Sequence, residues 1–281
     1  MKEIFEIAFN ISMFTLVAGS MVTMGLSLTV SQIVEPFKNI RMVILSLIAN
    51  FLIVPLFAFG IVWLLPVSEG VRIGIILVSL GGGAPFIPMV VKTAKGRVPG
   101  AIGLMLLLLI VTIVFMPIAV PLIFSGASVS SSAIAKSLIF SMLIPLLLAL
   151  FVRAYFSDIA ARIQPFATII TNIAILVAVI ATAFLYTQTI ASNIKVLPVI
   201  ILFFLGAMAI GYLTGGKNRN ARIILSVGTG LRNPPVAILV ATHSFPTEPM
   251  AAIVPLLIII VGLSILFPLA KKISKKDTVS G

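Results

Sequence analysis

The feature that most constrains this chain is the repetition of long apolar runs. Stretches of about 20 residues with almost no charge recur from end to end, and about 20 apolar residues is what an α-helix needs to cross a bilayer core. Only 9% of the 281 residues are charged and 60% are hydrophobic, whereas a soluble domain is about one-quarter charged. No hydrophilic block is large enough to fold as a soluble domain. The reading is an all-α polytopic membrane protein. A pass along the chain gives ten segments: 8–30, 39–65, 70–82, 84–95, 98–124, 133–156, 163–190, 195–214, 220–245 and 248–270. The start, MKEIFEIAF, runs straight into the first span without a small-residue cleavage motif, so no cleavable signal peptide is expected.

The cations fit this division. With ten spans both termini share a side, and that side collects Lys2, Arg72, Lys95, Arg97, Arg153, Arg162, Lys217, Arg219, Arg222, Lys271, Lys272, Lys275 and Lys276. The other side holds Lys38, Arg41, Lys136 and Lys195. The bias places both termini in the cytoplasm of a cell-membrane protein. It also accounts for the net charge of +12 through topology, so nucleic acid is not an expected partner. Lys92 and Arg232 are left over, inside interrupted segments. Beside Lys95 and Arg97, Lys92 reads as reaching the cytoplasmic surface.

Several chemistries are excluded. The chain has no cysteine, so no disulfide, thiolate nucleophile or thiolate metal site. Its carboxylates (Glu3, Glu6, Glu35, Glu69, Asp158, Glu248 and Asp277) all fall at segment ends or in loops. His243, the single histidine, reads as interfacial. No acid–base or nucleophilic set is available within the spans, so an enzyme is not expected.

The middle reads FSGASVSSSAIAK, a Ser/Gly-rich linker dividing the chain. The expected organisation is 1–124 as a first five-helix repeat, 125–132 as linker and 133–281 as a second repeat. Each half has glycines, a polar or kinked step, two prolines and then a long apolar span: GGGAPFIPMVVKTAKG in the first, TGLRNPPVAILVATHSF in the second. An odd number of spans per half forces opposite orientations, the pattern of an inverted-repeat transporter whose site lies where broken helices meet.

At the second break, Pro234 and Pro235 lack N–H groups, so the carbonyls of Gly230 and Leu231 lose their helical donors. Asn233 is a good N-cap with proline following at the first helical position. A helix is therefore expected to end near Thr229–Gly230 and another to start at Asn233. Its N-terminus, next to the Arg232 guanidinium, reads as an anion site, while freed carbonyls could hold a cation or water. At the first break Gly81, Gly82 and Gly83 permit unwinding, Pro85 and Pro88 release the carbonyls of Gly81 and Ala84, and a half-helix is expected to begin near Phe86–Pro88. No acidic residue lies within a span to pair with Arg232, which favours an awaited anion.

The MGLSL run (Met24–Leu28), the IANFLIVP run (Ile48–Pro55), the Gly-rich start of the fourth segment, the AKG step (Ala94–Gly96) and the TGLRNPP break together resemble the bile acid:sodium symporter family over nearly the whole chain. The resemblance implies ten helices, a panel domain of segments 1, 2, 6 and 7, a core domain of segments 3–5 and 8–10 with crossed, broken helices 4 and 9, and sodium-coupled uptake of organic anions by alternating access. It also implies where sodium ligands would fall. The family's amide residue of the second segment falls on Asn50, its Ser–Asn pair on Ile87 and Pro88, its hydroxyl residues near Ala101 and Met105, its carboxylate on Val227 or Ser226, and its glutamine on Gly230 or Leu231. Backbone carbonyls, Asn50, Ser226, Thr229 and Gly230 remain as oxygen donors.

The expected function is a secondary transporter of a small organic anion, a carboxylate or bile-acid-like molecule. The expected substrate-binding residues are Arg232, Asn233, Pro234, Gly83, Ala84, Pro85 and Pro88. Na⁺ is the one ion to consider, no other cofactor is expected, and a monomer in the lipid bilayer is compatible with this reading. The alternatives are an Na⁺-independent or H⁺-coupled anion carrier, or a channel or sensor on the same fold.

Overall fold

The computed structural model describes residues 2–29, 32, 39–124 and 129–279, with side chains as far as Lys272. Glu35, Lys38 and residues 125–128 of the expected linker lie outside the described residues, as do the side chains of Lys275, Lys276 and Asp277. The described residues form helices α1 (Lys2–Ser27), α2 (Ile40–Ile48), α3 (Val54–Leu64), α4 (Glu69–Leu80), α5 (Ile87–Thr93), α6 (Val98–Ile123), α7 (Ser131–Leu138), α8 (Ile144–Tyr155), α9 (Ser157–Leu185), α10 (Thr187–Ser192), α11 (Val196–Thr214), α12 (Arg219–Gly230), α13 (Pro234–Ser244) and α14 (Pro249–Val279). Short π-helical turns join α2 to α3 (Ala49–Ile53) and α7 to α8 (Ile139–Leu143). Each turn stands just before a proline, Pro55 or Pro145, whose missing N–H removes a regular i→i−4 bond and favours a widened turn. Polar side chains cap the starts: Asn39 Oδ1 accepts from Met42 N at 3.1 Å, and Asn218 Oδ1 from Ala221 N at 3.1 Å.

Eight helical stretches among the described residues are long and apolar enough to cross a bilayer. A ninth passage is made by α4 and α5 together, which corrects the reading of 70–82 and 84–95 as two spans. α4 has 12 residues, a length of about 18 Å against a core of about 30 Å, so it cannot cross alone. Contacts at the two ends show the path. At one end Ser68 Oγ donates to Asn193 Oδ1 at 3.0 Å, a Cβ on Gly70 would stand 2.8 Å from Glu248 Oε2, and Phe124 packs on Phe245. At the other end Gly96 packs on Ile223, and Ala94 shares a cleft with Arg222 and Ala270. The chain from Glu69 to Thr93 thus runs from the Glu248 end to the Arg222 end as one broken helix.

The path also places residues near the start and the end of the described helices. Phe9 of α1 lies in a cleft with Tyr186, Thr242 and Glu248, whereas Ala270 of α14 lies at the Arg222 end. Phe9 and Ala270 thus lie at opposite ends of the helical bundle.

Two bodies are visible in the packing. α1, α8 and α9 form a layer through small residues, with Gly19 against Thr171 and Gly25 against Ala149. The other passages surround α12–α13, where 94% of the apolar window is buried against 28% for α9. α9 therefore faces lipid, consistent with exposed Phe166, Ile170 and Ile173, and α12–α13 is the interior. Segment 39–65 meets the interior body through Asn50, bonded to Thr229, and Phe57, packed on Gly206.

The crossing leaves one position with no room for a side chain. Gly83 has φ 83°, and a Cβ there would lie 2.5 Å from both Leu109 N and Met105 O. Gly216 has φ 63° but nothing within 4 Å. Gly216→Ala should cost about 1–2 kcal/mol, the left-handed penalty alone. Gly83→Ala should cost about 3 kcal/mol or more, because overlap adds to that penalty, with both read by thermal unfolding in detergent. The absence of cysteine in the native sequence permits a direct test of the path. In intact cells, Ser68→Cys and Ser192→Cys should react with an impermeant maleimide from one side, and Lys95→Cys and Lys217→Cys only from the other.

Candidate functional site

The breaks form where the sequence predicts. α12 ends at Gly230, α13 starts after Asn233, and α5 begins at Ile87 with Phe86 as its cap. The two broken helices run in opposite directions and meet at Gly81–Gly83 and Arg232–Asn233. Asn233 N donates to Gly81 O at 2.9 Å, the carbonyl that Pro85 leaves without a donor. Asn233 Nδ2 donates to Gly83 O at 3.1 Å, while its Oδ1 caps α13 by accepting from Val236 N at 3.4 Å. Thr112 of α6 pins the same loop: its Oγ1 accepts from Gly82 N at 2.8 Å and donates to Gly82 O at 3.3 Å. One threonine, inconspicuous in the sequence because an apolar helix surrounds it, therefore serves both backbone groups of a buried glycine.

Arg232 corrects the expectation of an open anion site. Its side chain is fully buried, and each of its three nitrogens donates to the protein. Nε donates to Val78 O at 3.3 Å; Nη2 donates to Ser79 O at 2.6 Å and Asn50 O at 3.1 Å; Nη1 donates to Asn50 Oδ1. The partners are carbonyls without regular helical donors rather than the carboxylate or ligand that sequence reasoning sought. The amide of Gly82, which could otherwise close the last turn of α4 on Ser79 O, goes to Thr112. Val54 N donates to Ala49 O in the π turn, and Pro55 has no N–H, so Asn50 O has no donor further along its helix. The C-terminal ends of α4 and α12 converge here, and their dipoles favour a cation.

The other expected ion ligands are also engaged. Asn50 Nδ2 donates to Ser46 O at 2.8 Å and to Thr229 Oγ1 at 3.1 Å. Ser226 Oγ donates to Met208 O at 3.0 Å, and Gly230 O accepts from Arg232 N at 3.0 Å. Arg232, Asn233, Pro234, Gly83 and Ala84 are all buried in the crossing, whereas Pro85 and Pro88 face a cavity.

That cavity, of about 360 Å³, lies between the α1/α9 layer and the first break. Its apolar wall includes Met24, Pro85, Phe86, Pro88, Met89, Ile102 and Met105; its polar wall includes Ser20, Thr23, Ser27, Gln164, Thr168, Thr171 and Asn172. Thr23 and Thr171 hydroxyls approach each other at 3.4 Å across the α1–α9 seam. Gln164 Nε2 donates to Thr168 Oγ1 at 3.3 Å. The α9 polar residues recur at Gln164, Thr168, Thr171 and Asn172, spacings of four and three that put them on one helix face. That periodic stripe was legible in the sequence, but it lies in a span with no glycine-rich break to mark it. Lys92 and His243 are exposed, as expected of groups at the membrane surface.

Two substitutions weigh the crossing's fixings. Thr112→Val should cost about 1–3 kcal/mol by orphaning the buried backbone of Gly82. Asn50→Leu should cost more, since a buried charged group loses its acceptor. Both are read as falls in unfolding temperature in detergent.

Comparison with known proteins gives a family. Residues 14–193 match the Sodium Bile acid symporter family. The chain is also 25% identical over 241 residues, 82% of its length and 73% of the relative's, to a protein of Bacillus subtilis (strain 168) described as an uncharacterized sodium-dependent transporter, YocS. A family match over more than half of the chain, with two broken helices meeting in its interior, settles the kinship: this chain is a member of the sodium bile acid symporter family, a polytopic membrane transporter family.

Proposed function

We propose that the protein is a secondary transporter that carries an amphipathic organic anion by alternating access, with the cavity between the α1/α9 layer and the first break as its substrate site. The observation carrying this reading is the cavity's two-sided lining, with thioether, phenyl and aliphatic groups facing hydroxyls and amides. An apolar body with a polar head fits such walls. The head would be met by neutral donors, the Asn172 amide, the second N–H of the Gln164 amide and the Thr23 hydroxyl, rather than by Arg232, while the Thr171 hydroxyl donates to Ala167 O at 2.8 Å. The roles of the expected binding residues divide accordingly. Pro85 and Pro88 form the wall, Gly83 and Ala84 shape it from behind, and Arg232, Asn233 and Pro234 hold the break in place.

Opposed broken helices support a description as inverted repeats. α1, α2–α3, α4–α5 and α6 correspond in order to α9, α11, α12–α13 and α14, each pair running in opposite senses between the two ends. α7–α8 stands between the two sets. This replaces the expected five-plus-five division. Movement of the layer against the interior body would expose the cavity alternately. Arg41, Lys95, Arg97, Arg153, Arg162, Lys217, Arg219, Arg222, Lys271 and Lys272 gather at or near the Arg222 end, against Lys2, Arg72, Lys136 and Lys195 at the Glu248 end. The positive-inside tendency then puts the Arg222 end and the C-terminus in the cytoplasm and residue 2 outside.

The test is uptake into proteoliposomes with a panel of steroid carboxylates and short monocarboxylates. Thr23→Val and Asn172→Leu should each weaken uptake of the accepted anion by about 3–10-fold, the worth of one neutral hydrogen bond, with unchanged unfolding temperature. Full transport by the double variant would remove this cavity as the substrate site.

A further inference from the structure

The family to which this chain belongs is described as sodium-coupled, and hard monovalent cations are held by sets of backbone and side-chain oxygens. The crossing presents such a set: Asn50 O, Asn50 Oδ1, Val78 O and Ser79 O converge on one buried point at the ends of helices. The point holds the guanidinium of Arg232. We propose that this guanidinium is a built-in cation that takes the place of a coupling ion at the crossing, so that the crossing binds no sodium during transport.

The chemistry of the donor set supports this. An ion there would have to displace the guanidinium from four acceptors and leave a fixed positive charge beside itself, in a place where like charges repel strongly. Asn50 is committed on both atoms of its amide, its nitrogen to Ser46 and Thr229. Ser226 turns its hydroxyl to Met208 of α11. The charge balance is unchanged: one positive charge sits among carbonyl dipoles at the meeting of two helix C-termini, but it is tethered to the chain. A tethered charge neutralises the carbonyls in every state of the cycle, so ion release would not gate the layer's movement. The proposal depends on the transporter reading for this consequence alone; the occupancy of the crossing stands apart from substrate.

The test therefore uses no substrate. Purified protein is unfolded thermally in matched concentrations of NaCl, KCl and choline chloride. The native protein should melt at the same temperature in all three. Arg232→Ala empties the carbonyl cage and should acquire a saturable rise of about 2–4 °C with Na⁺ over choline. Millimolar guanidinium should raise it likewise. Arg232→Lys keeps a tethered charge and should remain indifferent to Na⁺. A saturable, Na⁺-selective rise in the native protein would overturn the proposal. So would a folded Arg232→Ala that responds to neither cation. If Arg232→Ala does not fold, the native protein's response to Na⁺ decides the matter alone. Failure of the uptake experiment with organic anions would leave these melting results intact, so the two readings fail separately.

Discussion

The structure depends on one interaction: a buried arginine satisfied by backbone carbonyls that have no regular helical donors. Breaking two helices in a membrane interior creates polar groups that lipid cannot solvate, each costing several kcal/mol if left alone. Here the two breaks solve each other's problem. Asn233 supplies N–H donors to Gly81 and Gly83, and Arg232 supplies them to Val78, Ser79 and Asn50. Without the crossing the carbonyls of Ser79 and Asn50 would lack the donors Arg232 gives them, whereas Val78 O also accepts from Gly81 N at 3.1 Å; without the carbonyls the arginine would be an unpaired buried charge. Neither break is stable by itself, which ties α4–α5 to α12–α13 and recruits the π turn of α2–α3 through Asn50.

The same interaction separates structure from binding. The guanidinium is held within the protein, and the cavity proposed for substrate lies outward of it, at the seam between the α1/α9 layer and the wall made by Pro85, Phe86 and Pro88. The rigid interior carries the breaks; the layer carries hydroxyls and amides on one face of α9. Small contacts such as Gly19 on Thr171 and Gly25 on Ala149 let the layer's helices pack closely as one body, while the cavity leaves its junction with the break less filled.

Much of this was legible in residues alone. Asn233 followed by Pro234 signalled a helix start, and the glycine run before Pro85 signalled unwinding; both fell where expected. The number of passages was misread because α4, at 12 residues, looks like a short span when its partner α5 is counted separately. A hairpin of two short spans and one broken span share the same glycines and prolines, and only the contacts of Ser68 with Asn193 and of Gly96 with Ile223 distinguish them. The count of passages also bears on the proposed pairing of the helices into repeats. The partners of Arg232 were not legible, because a sequence displays carboxylates but not the carbonyls that a helix break leaves free.

The sequence by itself determined that the chain lives in a bilayer, where its helices stop, and that two of its passages are broken near a buried cation. Those outcomes follow from local rules: apolar length, the missing N–H of proline, and the capping power of asparagine. The tertiary structure alone decided which groups the breaks address. Hydrogen bonds between Asn50, Val78, Ser79 and Arg232 join residues up to 182 positions apart, and no local pattern encodes the direction in which a freed carbonyl will point once two helices cross.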